Sequence, residues 1–291
     1  TGKKLDELRP DVILSQGFCV WQGIHRFSDR LITHPHGLEM FQGLTWKERL
    51  LGLPFRLALQ RIIRGSGAVV SLGGKLTVIL HELVRGSDCK VVVIPNAVDI
   101  PVIPVPYPKD EIPLRLLFVG RLAFNKGIDV LMTVAERLIA EGKGDAVHFD
   151  LAGDGPLLKQ FQGSGTPANV DLLGRVDDLG LEGLYQHCHA FILPTRFEGM
   201  PTVVLEAMAR AKPVFVSDVG ATAELVDMHN GYLLPPGDAD GVHNAVLSVC
   251  ERTPETRAKM GRQGYDRAKK LFSWPVATKS FLRLFEEVRR R

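Results

Sequence analysis

Short apolar runs alternate with segments of helical periodicity along the whole chain. In the first part, Asp11 to Ser15, Leu31 to Thr33, Ala68 to Leu72 and Lys90 to Ile94 read as strands. Residues 20–30 and 73–86 read as helices, and residues 46–64 as two short helices interrupted at Pro54. A second series opens with a strand over Leu114 to Val119 and a helix from about Ile128 to Glu141. Further strands follow at Val147 to Ala152, Asn169 to Leu173, Ala190 to Leu193 and Val214 to Val216, then a strand and turn at Gly231 to Pro236. Helical patterns close the chain over Pro254 to Lys270 and Trp274 to Arg291. Strands alternating with helices predict an α/β fold.

The two series are joined by DIPVIPVPYPKDEIP, with five prolines in fifteen residues, which reads as a stiff linker. The length of 291 residues agrees with about two domains. The expected division is residues 1–102, a linker over 103–113, a second domain over 114–273, and a closing helix over 274–291. The chain begins at Thr1 and runs at once into a helix-like segment, so the expectation is that further chain precedes it.

Composition narrows the picture. Apolar residues make up 45% and charged residues 24%, an ordinary balance for a globular protein. A formal net charge of +3 is too small to argue for nucleic acid. Cys19, Cys89, Cys188 and Cys250 form no CxxC pair and read as reduced, buried thiols of a cytoplasmic protein. No apolar run is long enough to span a bilayer, and no signal peptide is expected.

The candidate chemistry is concentrated in residues 189–217. A buried strand ends at Pro194, a tight turn holds Glu198 and Gly199, and a helix starts at Pro201 with Val203, Val204, Ala207, Met208 and Ala211 at helical spacing. A helix N-terminus attracts phosphate, and Gly199 lets a ligand approach the backbone. Glu206, about 7–8 Å into the helix, is placed to accept two hydrogen bonds from vicinal hydroxyls such as those of a ribose. The plainer alternative is a surface loop and an amphipathic helix with an exposed Glu.

Other sites carry similar pairs of readings. Arg121 and Lys126 flank a strand-to-helix crossing, where open α/β folds hold anions, or are solvated surface charges. His36, in THPHGLE, sits after a strand where a cleft loop is expected; His34 reads as structural. A zinc site from His25, His34 and His36 lacks a fourth ligand. GDGP at 153–156 lacks the third glycine of a dinucleotide fingerprint. Asp238 and Asp240 read as helix-capping residues rather than a metal pair. The stretch WKERLLGLPFRLALQRIIR sets Lys47, Arg49, Arg56, Arg61 and Arg64 against Glu48 and an oily side. A core-facing helix with a solvated basic face comes first. A peripheral contact with anionic lipid or a lipid-linked acceptor comes second.

EGMPTVVLEAMARAKPV after ILPTRF resembles the Glu-x7-Glu signature of the retaining glycosyltransferases of family 4, the group 1 glycosyltransferases. FVGRLAFNKGIDVL, the GDGP turn, GATAEL, IPNAVD and HGLE resemble further stretches of that family. The resemblance implies a GT-B fold, with two Rossmann-like domains of parallel sheet facing across a cleft, the first part of the N-terminal domain missing, and the helix over 274–291 returning to that domain. It implies a UDP-, GDP- or ADP-sugar donor, a saccharide or lipid-linked acceptor, transfer with retention, and no required metal or other cofactor. It places Arg121, beside Gly120, and Lys126 on the diphosphate; Glu206 on the ribose; and Glu198, His36 and the backbone of Gly199, Met200, Pro201 and Thr202 about the sugar. Backbone groups at Gly174, Arg175 and Val176 would meet the nucleobase. Synthesis of cell-surface polysaccharide or glycolipid, in the cytoplasm or on the inner face of a membrane, is the implied setting. A sugar-nucleotide epimerase, a phosphorylase of the same fold, and a non-catalytic nucleotide-sugar binder are the alternatives. The sequence departs from the family at two glycine positions. Ala97 implies a slightly different turn, and Ala211 is expected to be harmless because alanine favours helix.

Overall fold

A computed structural model describes residues 2–21, 23–41, 46–109 and 112–290, with the side chains of Glu39, Glu48, Arg49 and Ser164 set aside. Gln22 of the expected first helix, Asp110 and Glu111 of the linker, and the side chains of Glu39, Glu48 and Arg49 therefore lie outside the described residues. The chain forms two compact units. One comprises residues 1–96, Glu198–Met200 and Trp274–Arg291; the other comprises residues 97–197 and Pro201–Ser273.

The first unit opens with α1 (Gly2–Leu8) and holds a four-stranded parallel sheet, β1 (Ile13–Gln16), β2 (Leu31–His34), β3 (Ala68–Ser71) and β4 (Lys90–Val93), in that spatial order. β2 and β3 are buried throughout, as central parallel strands are. α2 (Trp46–Leu51) and α3 (Leu53–Arg64) link β2 to β3, and α4 (Gly74–Val84) links β3 to β4. The C-terminal helix, Trp274–Arg289, sets Leu284 and Val288 against Ile32, Ala68, Val70 and Ile94. Lys90 Nζ donates to Glu287 at the end of the same contact, 2.6 Å away.

Sequence expectations need correction here. Among the described residues of 20–30 there is no α-helix, only a 3-10 turn over Ile24–Arg26. Val20, Ile24 and Phe27 are buried together, but Gly23 is left-handed (φ 66°) and interrupts the backbone path. In α2 and α3 the break is at Gly52, while Pro54 fits the first turn of α3 because no N–H is needed there. The oily side covers the sheet only through the second half of α3, where Ile62 packs with Ile13 of β1 and Leu31 of β2. Leu59, Ile62 and Ile63 are buried, whereas Leu50, Leu51, Leu53, Phe55 and Leu57 are exposed.

The second unit begins at Ala97, ahead of the expected linker. Val98 N donates to Phe272 O (2.9 Å), and the Tyr265 hydroxyl donates to Pro101 O (2.7 Å). Ala97 has no positive φ, so an alanine fits that turn without strain. The strands are β5 (Leu114–Val119), β6 (Val147–Ala152), β7 (Val170–Gly174), β8 (Ala190–Leu193), β9 (Val214–Ser217) and β10 (Gly231–Leu234). They form one six-stranded sheet in the order β10-β9-β8-β5-β6-β7, every pairing parallel. β8 and β9 are buried along their whole length, which is why AFIL and VFVS read as unbroken apolar runs.

The helices of this unit are α5 (Ile128–Ala140), α6 (Pro156–Ser164), α7 (Asp178–His187), α8 (Thr202–Ala209), α9 (Ala239–Cys250) and α10 (Pro254–Leu271). α5 turns Ile128, Leu131, Val134, Ala135 and Leu138 inward at helical spacing. α8 stops at Ala209, and Ala211 lies beyond it in the left-handed region (φ 57°). Helix propensity is therefore irrelevant at Ala211, where the Cβ is a cost of about 1–2 kcal/mol. Asp238 occupies the position before α9 but makes no capping hydrogen bond, and Asp240 instead accepts from Arg137 (2.6 Å). None of the four cysteines forms a disulfide; Cys89 and Cys188 are buried, whereas Cys19 is exposed, against expectation.

Candidate functional site

Strand order locates the site in the second unit. β5, the first strand of the sheet, has β8 on one side and β6 on the other. The chain leaves β5 and β8 in opposite senses, and ligands of open α/β sheets settle in the crevice this opens beyond the strand carboxyl ends. Arg121 and Lys126 lie in the loop after β5; Thr195, Arg196 and Phe197 lie in the loop after β8.

These two loops are bonded into one piece. The Asn125 carbonyl accepts from Arg196 N (2.8 Å) and from the Thr195 hydroxyl (3.0 Å). The Arg196 guanidinium donates to both carboxylate oxygens of Asp129, at 2.8 and 2.7 Å, and to the carbonyl of Phe124, while its plane lies 3.8 Å from the Phe124 ring centroid. Gly127 is needed between them. It is left-handed (φ 75°), and a Cβ there would come within 2.0 Å of Pro194 O. None of these partners was among the residues singled out from sequence. Arg196 and Asp129 are 67 positions apart, and no local spacing pairs them.

Next to this brace is a cavity of about 300 Å³, lined by Gly120, Arg121, Gly153, Asp154, Arg175 and Val176 among others. Three of the expected donor contacts, Gly120, Arg175 and Val176, thus line one cavity with Arg121, and Gly174 precedes Arg175 at the end of β7. Thr202 opens α8, with Pro201 before it in extended conformation. Glu206 is on the same helix, half-buried, and its Oε2 accepts from the Tyr185 hydroxyl at 3.4 Å. Tyr185 is fully buried; desolvation, then the Glu206 charge, pushes its pKa well up, so it stays a neutral donor.

The remaining expected residues lie in the first unit. His36 has a left-handed backbone (φ 58°), an unusual state for a residue with a ring. Its Nε2 is bonded to Gln16 Oε1, and its ring lies 4.0 Å from that of His34. Gly199 packs on the same loop so closely that a Cβ would meet His36 O at 2.5 Å. Asn96 Nδ2 donates to Met200 O (2.8 Å), fixing the segment that starts at Glu198. Loss of water lowers the His36 pKa. His34 is buried, and desolvation followed by repulsion from His36 lowers its pKa to about 4. Both rings are therefore neutral near pH 7. His187 and His189 make backbone hydrogen bonds, His187 with Gly183 O (2.7 Å) and His189 by accepting from Arg115 N (3.0 Å).

Among the described residues, His148, Asp150 and Asp171 bring ligand atoms within 4.8 Å of one another. A cation is already there. Arg115 makes two hydrogen bonds to Asp150 and lies 3.6 Å from Asp171. Its pKa is raised chiefly by the Asp150 hydrogen bond. The group therefore reads as an ion-pair cluster on β5 to β7.

Residues 113–252 match the family model of the group 1 glycosyl transferases. An uncharacterised glycosyltransferase of Methanocaldococcus jannaschii is 29% identical over 176 residues, 59% of this chain and 48% of that protein. A glycogen synthase of Mycobacterium tuberculosis is 25% identical over 281 residues, 93% of this chain and 67% of that protein. The chain thus spans about half the length of the first relative. In structure, it matches a sucrose-phosphate synthase of Thermosynechococcus elongatus with a TM-score of 0.81 at 20% identity, over 99% of this chain and 76% of that one. An outer-core lipopolysaccharide galactosyltransferase, WaaB, matches with a TM-score of 0.74 at 18% identity, over 98% of this chain and 78% of that one. The α/β fold with its two parallel sheets is that of the GT-B glycosyltransferases.

Proposed function

We propose, from the group 1 glycosyl transferase match of residues 113–252, that the chain takes part in moving a hexosyl group from a nucleoside diphosphate sugar to an acceptor hydroxyl with retention at the anomeric carbon. The observation that carries this reading is the pairing of Arg121 with the cavity at Gly120, Arg175 and Val176, beside the strand-order reversal. Arg121 offers a fork to phosphate oxygens and Lys126 a point charge on the adjoining turn. Together they offset the charge that builds on the departing diphosphate. Glu206 accepts from the ribose hydroxyls. Glu198, His36 and the Gly199 to Thr202 backbone position the sugar. No step needs a protein nucleophile or a metal ion; positioning and charge stabilisation supply the catalysis.

A solved relative, HepE of Anabaena, holds UDP and glucose and shares 18% identity at a TM-score of 0.73, which supports a nucleotide-sugar donor. The names of three relatives, a glycogen synthase of Mycobacterium tuberculosis, a putative teichuronic acid biosynthesis glycosyltransferase of Bacillus subtilis and a D-rhamnosyltransferase of Pseudomonas aeruginosa, support a saccharide acceptor. Among the described residues no helix is long and apolar enough to cross a membrane.

Ligand-observed NMR with UDP-, GDP- and ADP-sugars tests the donor site. Saturation transfer to one nucleotide, lost in Arg121→Ala, is the expected result. Transfer to none of them, or transfer unaffected by Arg121→Ala, overturns the assignment.

A further inference from the structure

α2 and the first half of α3 are apolar and face water. Trp46, Leu50, Leu51, Leu53, Phe55 and Leu57 are between 46% and 74% exposed. Phe18 extends this surface, its ring edge-on to Phe55 at 6.2 Å, and Trp21 follows it on an exposed loop. Isolated exposed leucines are ordinary, but a contiguous patch of this kind marks a contact surface.

Charge says what kind of contact. Lys47, Arg56, Arg61 and Arg64 lie on the same two helices, and the sequence over 46–64 holds five cations against the single acid Glu48. Arg56 and Arg64 are committed to backbone carbonyls, of Met40 and Leu83, while Lys47 and Arg61 are exposed. Lys47 Nζ stands 5.8 Å from the Trp46 ring centroid. Aromatic and leucine side chains with exposed cations among and beside them are what a helix lying in a membrane interface needs: rings at headgroup depth, aliphatic groups at the acyl boundary, ammonium and guanidinium groups reaching phosphate. An apolar protein partner would leave those cations without counter-charge.

We propose that α2 and α3 dock the chain on an anionic lipid bilayer, with Trp46, Leu50, Leu53 and Phe55 entering the interface and Lys47 and Arg61 pairing with lipid phosphates. The inference uses none of the donor-site residues, so it stands or falls separately from the glycosyl transfer reading.

Co-sedimentation of the 291-residue chain with vesicles decides it. The chain should pellet with mixed phosphatidylcholine and phosphatidylglycerol vesicles and stay in solution with phosphatidylcholine alone. Leu50→Ser combined with Phe55→Ser should abolish pelleting. Lys47→Gln combined with Arg61→Gln, exposed positions whose change leaves the core intact, should weaken it by about fivefold per cation removed. Failure to pellet with anionic vesicles, equal pelleting with neutral ones, or undiminished binding by the charge variant overturns the proposal. So does concentration-dependent dimerisation in gel filtration that the Leu50→Ser, Phe55→Ser variant removes, because a second copy would then be the occupant.

Discussion

Arg196 grips Asp129 with two nearly parallel hydrogen bonds, 2.8 and 2.7 Å long, across the gap between the loop after β8 and the start of α5. The pair is partly shielded, with the Arg196 side chain only 13% exposed, so it is worth more than a surface ion pair. Arg196→Ala should cost about 2 kcal/mol in chemical denaturation. Arg196→Lys should recover only part of it, since a point charge replaces a fork. Equal stability of the three proteins would mean that the brace contributes nothing.

Gly127 permits that brace. Gly127→Ala combines a left-handed φ with a backbone clash against Pro194 O. A loss of about 3 kcal/mol follows from strain plus overpacking, read as a lower denaturation midpoint. A neutral substitution would show that the loop is looser than described.

Under the proposed function, Arg121→Ala should lower turnover at least about tenfold, or about 1.4 kcal/mol of barrier. Lys126→Ala should act in the same direction. Initial rates with a radiolabelled donor measure both, and unchanged kinetics in Arg121→Ala would remove it from the leaving-group role.

His34 makes stability depend on pH. Its folded pKa is depressed from 6.5 to about 4, so below about 6.5 the unfolded chain takes up a proton that the folded chain refuses. The stabilisation is complete above 6.5, falls as pH drops towards 4, and changes no further below that. The loss amounts to at most about 3 kcal/mol. Urea unfolding at several pH values should show a flatter profile across this window in His34→Gln than in the parent; parallel profiles would rule His34 out as the source.

Ala211→Gly should stabilise the chain by roughly 0.5–1 kcal/mol, because the left-handed backbone at this position costs alanine more than glycine's extra unfolded-state freedom. Thermal scanning of the single variant is enough, and a lower midpoint would contradict it.

Much of the fold could be read in advance because parallel strands buried on both faces leave plain apolar runs: AVVS, AFIL and VFVS are each buried from end to end. The position of Arg121 and Lys126 in the loop after β5 was also legible. Three things were not. Residues 20–30 read as a helix, yet Gly23 turns the backbone aside. Periodicity over residues 46–64 fixed two helices but not what their apolar side meets, since exposure is a tertiary property. Ala211 was judged by helix propensity, although α8 had already ended two residues earlier.

The brace also has a meaning for inheritance. Arg196 without Asp129 is a shielded cation lacking its acid, and Asp129 without Arg196 leaves Phe124 and Asn125 to hold the turn alone. Either loss by itself is a step down, so positions 129 and 196 are expected to drift as a couple, and the segment between Lys126 and Arg196 is free to diverge only where it leaves that couple in place.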